Sequence, residues 1–241
     1  MLWEILILAV ITDLVTGVGV LPFFFVKTLS QRWIAYGNAI AAGFMLGASI
    51  LLGFEGFDRS PAGLAYGFLA GVIFIALVQE YITHRHNLSF EHIHGATGQK
   101  MLLIVGAMTL HSIAEGVGIG VSFAGGENFG LFIALAMAIQ NIPEGLAIAL
   151  VLIPKGISPK ATFGWAVFSS LPQAIMAVPA FLFVDSFTMF VAPGLGFAAG
   201  VMVWMCFAEL LPDARKHLNW GRIFPVVLGS ILVMLSTKFT L

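Results

Sequence analysis

The chain has 241 residues, of which 59% are apolar and only 10% are charged, and its formal net charge is -1. Soluble domains carry roughly a quarter charged residues. So few charges leave too little polar surface to dissolve in water, which excludes a water-soluble domain and makes lipid the solvent. The expectation is an all-α polytopic membrane protein with a single transmembrane domain over residues 1–241.

Apolar segments long enough to cross hydrocarbon, about 20 residues each, are predicted in chain order at Leu2–Val26, Trp33–Phe54, Pro61–Thr83, Gln99–Phe123, Phe129–Ile153, Ala161–Val184, Phe190–Leu211 and Phe224–Phe239. The first run has no basic residues ahead of it and is too long for a signal-peptide core, so it reads as a retained helix. The last is the shortest, and crosses with Lys238 snorkelling or with local thinning of the bilayer. Eight crossings put both termini on one side. The only cysteine, Cys206, lies in the seventh segment, which rules out an intrachain disulfide and a multi-thiolate metal site. It reads as a small packing residue.

Lys and Arg favour cytoplasmic loops. If both termini face the non-cytoplasmic side, Lys27, Arg32, Arg85, Lys100, Lys155, Lys160, Arg215, Lys216 and Arg222 fall on the inner loops, leaving only Arg59 and Lys238 outside. The expected orientation follows from that imbalance. The longest connection, about 84–98, is then an inner loop containing His84, His86, His92 and His94, four of the six histidines in the chain. Such a tract binds borderline divalent metals weakly, or is simply a polar loop where histidine recurs.

A carboxylate near the bilayer centre costs on the order of 2.5–3.5 kcal/mol, so it persists where it is paired, liganded or facing water. Polar residues interrupt four spans: Asp13 in the first; His111, Ser112 and Glu115 in the fourth; Gln140, Asn141 and Glu144 in the fifth; Gln173 in the sixth. Counting from Lys100 and Lys155 at about 1.5 Å per residue, His111 and Glu144 lie about 16 Å from the inner edge, and Glu115 and Gln140 about 22 Å. The fourth and fifth helices run antiparallel with a short link, so these groups meet as two levels, each with one carboxylate. The i, i+4 spacing puts His111 with Glu115, and Gln140 with Glu144, on one helix face. An imidazole, two carboxylates and an amide oxygen form a mixed N/O set suited to Zn²⁺, Fe²⁺, Mn²⁺ or Cd²⁺. Pro143 removes a helical hydrogen bond beside the set and can free a carbonyl. Taken singly, His111 reads equally as a core histidine, the two glutamates as protonated interhelical bonds, and the amides as helix glue. Matched depth favours coordination. Asp13, about 21 Å from the inner edge on the same ruler, lines the access path, relays protons or bonds a neighbouring helix.

His111-Ser-Ile-Ala-Glu115-Gly and Gln140-Asn-Ile-Pro-Glu144-Gly resemble the paired fourth- and fifth-helix motifs of the ZIP (Zrt/Irt-like) family of divalent metal transporters, often written HNxPEG. Eight spans, outward termini, an inner His-bearing third loop and Glu209-Leu-Leu-Pro212 late in the seventh span fit the same pattern. The resemblance implies a ZIP-like bundle whose main transport site is His111, Glu115, Gln140 and Glu144. It also implies a second site at Ser112, Asn141 and Gln173. Family members commonly carry an amide and carboxylates there, whereas this chain has a hydroxyl and two amides, so the second site is expected to be weakened. Glu209 is a candidate for inward release.

The expected function is transport of divalent metal, zinc before iron, manganese or cadmium, toward the cytosol or an equivalent inner compartment, with no catalytic activity and no cofactor beyond the transported ion. No nucleotide-binding motif is present that would supply an ATP-driven step. Partners are the metal ion and the lipid bilayer, with no nucleic acid and with homodimerisation left open. The membrane is a bacterial inner or plasma membrane, or an organelle envelope. Two rival readings stand beside this one. An intramembrane metal-dependent hydrolase would need more than one histidine ligand in the core. A proton-coupled transporter of another solute would use the carboxylates without metal.

Overall fold

The computed structural model describes residues 1–26, 30–86 and 98–237; for 81–86, 98–108, 110, 111 and 237 it describes the backbone alone. The helices are α1 Leu2–Val18, α2 Gln31–Arg59, α3 Pro61–His86, α4 Gly98–Phe123, α5 Glu127–Leu152, α6 Pro159–Ser186, α7 Val191–Met205, α8 Leu211–His217 and α9 Trp220–Thr237. A π-helical turn, Cys206–Leu210, joins α7 to α8. These three form one rod, so the described residues make eight rods, one for each predicted span. Five of the rods are long and apolar enough to cross a bilayer by length and composition.

The boundaries differ from the sequence expectation where local chemistry intervenes. The first helix stops at Val18 instead of Val26, and a short 3-10 turn follows at Leu21–Phe24. Pro22 has no N–H to continue the ladder. Gly19 lies so close to the backbone of Ile142 and Leu146 in α5 that a methyl group there would collide. Helix α2 runs five residues past Phe54, where Glu55 and Arg59 pair across its last turn at 2.9 Å. Helix α3 continues to His86, which draws His84 and His86 out of the predicted loop and onto the helix backbone. The side chains of these two histidines lie outside the described residues, as do His92 and His94 altogether. The seventh span continues to His217, with the hydrogen-bond ladder widening at the π turn, where the Leu211 N–H donates to the Cys206 carbonyl. The cause lies in Pro212, which cannot donate to the Ala208 carbonyl, so the preceding turn shifts its register.

Among the described residues, large apolar side chains cover much of the exterior, and the polar groups of the spans gather within an otherwise apolar interior. Trp3, Trp33, Tyr66 and Phe25 are exposed, whereas Thr12, Asp13, Ser112, Glu115, Gln140, Asn141 and Gln173 are each at most 2% exposed. This is the arrangement lipid requires, because only the interior offers partners to polar groups. Small residues bring the helices close enough to provide them. Gly145 of α5 faces the Thr16 carbonyl of α1, Gly116 and Gly120 of α4 face carbonyls of Gln173 and Ala177 in α6, and Gly196 and Gly200 of α7 face carbonyls of α3. Helices α1, α4, α5 and α6 pack into one group; α2, α3, α7, α8 and α9 pack into a second, with α2 against α5 and α4 against α7 joining the groups. Cys206 is fully buried, and its Sγ lies 3.5 Å from the Ala42 carbonyl, in keeping with a packing role.

Candidate metal site

The first group of helices carries nearly all the polar residues singled out above. Glu115 projects from α4 and Gln140 from α5, and they meet directly: Gln140 Nε2 donates to Glu115 Oε1 at 2.5 Å. The same amide nitrogen lies 3.1 Å from Met137 Sδ, one turn earlier on α5. Glu144, one turn further along α5 and 8% exposed, brings its carboxyl within hydrogen-bond reach of Glu115. Glu115 thus meets Gln140 at the common level the depth count predicts, while Glu144, which that count puts one level away, also reaches Glu115. Gln140 Oε1 is buried without a hydrogen-bond partner. A lone buried acceptor costs free energy unless a cation or donor meets it, and with the amide nitrogen committed to Glu115, the oxygen is the atom left for a ligand. The backbone of His111 lies in α4 one turn before Glu115; its side chain lies outside the described residues. Pro143 sits within α5 and deprives the Ile139 carbonyl of its helical donor beside this group.

Among the described residues, no three His, Cys, Asp or Glu side chains cluster as a complete metal site. The converging set consists of two carboxylates and an amide, and its expected imidazole is not among the described side chains. Oxygen donors of this kind suit a divalent cation, and an imidazole added to them turns the preference toward borderline ions such as Zn²⁺.

Ser112, Asn141 and Gln173 are fully buried. Asn141 Nδ2 donates to Gln173 Oε1 and to the Thr12 carbonyl, both at 2.9 Å, and Gln173 Nε2 donates to Thr12 Oγ1 at 3.2 Å. A turn along, Ser170 Oγ donates to Thr16 Oγ1 at 2.8 Å. Sequence reading missed Thr12, Thr16 and Ser170. Their hydroxyls are the only signal, and hydroxyls are cheap in membrane helices because they bond to their own backbone, as Thr12 Oγ1 does to the Ala9 carbonyl at 2.7 Å.

Asp13 is 2% exposed, lies within electrostatic reach of Glu115, and leaves Oδ1 without a hydrogen-bond partner. Glu209 sits on the π turn, half-buried and within electrostatic reach of Glu144. It accepts a hydrogen bond from Gln79 Nε2 of α3, whose Oε1 accepts from Trp204 Nε1 at 2.7 Å. Sequence reading did not flag Gln79 or Trp204, since the link spans α3 and α7.

No family model matches the chain. Individual proteins do. Over 229 residues it is 44% identical to a protein of Arabidopsis thaliana named for zinc transport, covering 93% of this chain and 37% of that protein's length. It is 30% identical over 249 residues to the zinc transporter GufA of Myxococcus xanthus, covering 94% of the chain and 98% of that protein. It is 28% identical over 237 residues to the zinc transporter ZupT of Stenotrophomonas maltophilia, covering 89% and 87% respectively. With an apolar exterior, a buried carboxylate–amide centre and likeness along almost the full length of GufA, the chain is an integral multi-pass membrane protein and belongs to the ZIP family of divalent metal transporters.

Proposed function

We propose that the protein carries zinc across its membrane through a site formed by His111, Glu115, Gln140 and Glu144. The observation that carries this reading is the meeting of Glu115, Gln140 and Glu144 at one buried point between α4 and α5. A zinc ion entering there exchanges its water shell for two carboxylates, an amide oxygen and, from α4, an imidazole. Two negative charges balance the ion, so its burial does not leave a net charge in a medium of low dielectric. Asp13 lies on the access path, close enough to Glu115 to attract the ion toward it, and Glu209 on the π turn receives it on the way inward. One helix group then rocks against the other to open the inner side. Orientation follows from the distribution of Lys and Arg, with both termini outside and transport directed inward. Iron, manganese and cadmium suit the same donor set, but zinc stands first because GufA and ZupT are named zinc transporters.

The test is uptake of zinc by purified protein in sealed proteoliposomes, with zinc supplied on one side only. Saturable uptake above that of empty liposomes is expected. Absence of any metal uptake by correctly folded protein would overturn the reading and favour proton-coupled movement of another solute.

A further inference from the structure

Beside the carboxylate centre lies a second buried polar cluster, and its bonds are already made. We propose that Thr12, Asn141 and Gln173 form a hydrogen-bonded clasp that ties α1 to α5 and α6, closes the position next to the transport site, and so limits the protein to one divalent ion at a time. The inference rests on the reading of Glu115, Gln140 and Glu144 as that site.

Three observations support it. The clasp groups are neutral, and Asn141 and Gln173 are completely buried, so none of the three side chains offsets the charge of a second cation. Their bonding is reciprocal: Asn141 Nδ2 bridges Gln173 Oε1 and the Thr12 carbonyl, while Gln173 Nε2 reaches Thr12 Oγ1. The Gln173 oxygen, the one a cation would need, is therefore occupied by an N–H, and Asn141 Oδ1 is the single amide oxygen of the pair without a hydrogen bond. A lone neutral oxygen is a poor substitute for the carboxylates that hold divalent ions. Finally, Asn141 follows Gln140 directly and shares its helix with Glu144, so a second ion here would sit close to the first. Repulsion between two divalent ions is four times that between unit charges at the same distance, and it is screened little in a buried site.

The clasp also explains how α1 stays with the site. Its bonds, the Ser170–Thr16 bond and the contact of Gly145 with the Thr16 carbonyl hold α1 against α5 and α6 along two turns. A bound ion is not needed to join these helices, because hydrogen bonds already do so.

The test counts zinc on purified protein by elemental analysis and zinc titration, in a background where His84, His86, His92 and His94 are replaced so that they contribute no ions. One zinc per chain is expected in this background, and two in Asn141→Asp/Gln173→Glu, where near-isosteric carboxylates open the clasp and supply charge. If the double variant does not fold, Asn141→Asp and Gln173→Glu singly are each expected to show a second, weaker binding step. Two fully occupied zinc ions before the acidic changes would overturn the proposal, as would a count of one in a folded acidic variant. Thr12→Val is expected to keep the count at one while lowering the thermal midpoint, with Thr12→Ser restoring it. An unchanged midpoint in Thr12→Val would show that the clasp holds nothing. Glu144→Gln reports separately on the transport-site reading: loss of the single zinc upholds it, and retention overturns it, while the clasp is judged on the increment between the background and its acidic variant.

Discussion

Replacing Glu144 by Gln keeps the shape of the side chain and removes one of the two negative charges that face the ion. Glu144 is only 8% exposed, so little solvent is present to screen the loss. Breaking a buried charge pair by removing one partner costs about 3–5 kcal/mol, and at about 1.4 kcal/mol per tenfold this predicts a loss of zinc affinity of about 100- to 4,000-fold. The same substitution costs the empty protein little. The Glu115 and Glu144 carboxyls lie within hydrogen-bond reach, which requires a proton between them, and the Gln amide N–H can take the place of that proton. Glu144→Gln should therefore abolish saturable zinc uptake in proteoliposomes, leave the thermal midpoint of the metal-free protein nearly unchanged, and eliminate the rise that zinc gives the unmutated protein. A merely misfolded variant would show a lower metal-free midpoint, so the pair of readouts separates loss of a ligand from loss of structure. Uptake at the unmutated rate, or an undiminished zinc-induced rise, would refute the reasoning.

Three further outcomes are expected. In a Cys206-free variant, single cysteines placed within 84–98 should resist membrane-impermeant thiol reagents in right-side-out vesicles; labelling as strong as at residues 54–60 would reverse the orientation. Replacing His84, His86, His92 and His94 together should alter apparent affinity or regulation in uptake assays while leaving transport in place, and complete loss with normal folding would make the loop part of the pathway. Gly145→Ala drives a methyl group into the Thr16 carbonyl; it should destabilise the protein by about 1–3 kcal/mol and slow uptake, and an unchanged thermal midpoint would show that α1 and α5 are free to separate.

Much of the architecture is legible in the sequence because lipid imposes a simple rule. Spans must be apolar and helical to satisfy their own backbone, so eight long apolar runs read directly as eight rods. The carboxylate centre is legible for the same reason: Glu115 and Glu144 are costly in a span, and the equal counts of Glu115 from Lys100 and of Gln140 from Lys155 put their helices in matching register. Helix ends were harder to read. Gly19, Pro22 and the Glu55–Arg59 pair decide them through local packing and bonding, which hydropathy does not register.

The sequence by itself determined that this is a helical membrane protein, which residues are polar within its spans, and the paired motifs that mark a ZIP-like core. Tertiary structure alone decided which groups those polar residues bond. Spacing along α5 says that Gln140 and Glu144 share a face, but not that Gln140 spends its amide nitrogen on Glu115, nor that Asn141 reaches across to Thr12 and Gln173. Hydroxyl residues such as Thr12 leave no trace in hydropathy because they satisfy themselves on their own helix. Thr12 and Thr16 acquire their partners, Gln173 and Ser170, only when α1 packs against α6, and that packing joins helices far apart in the chain.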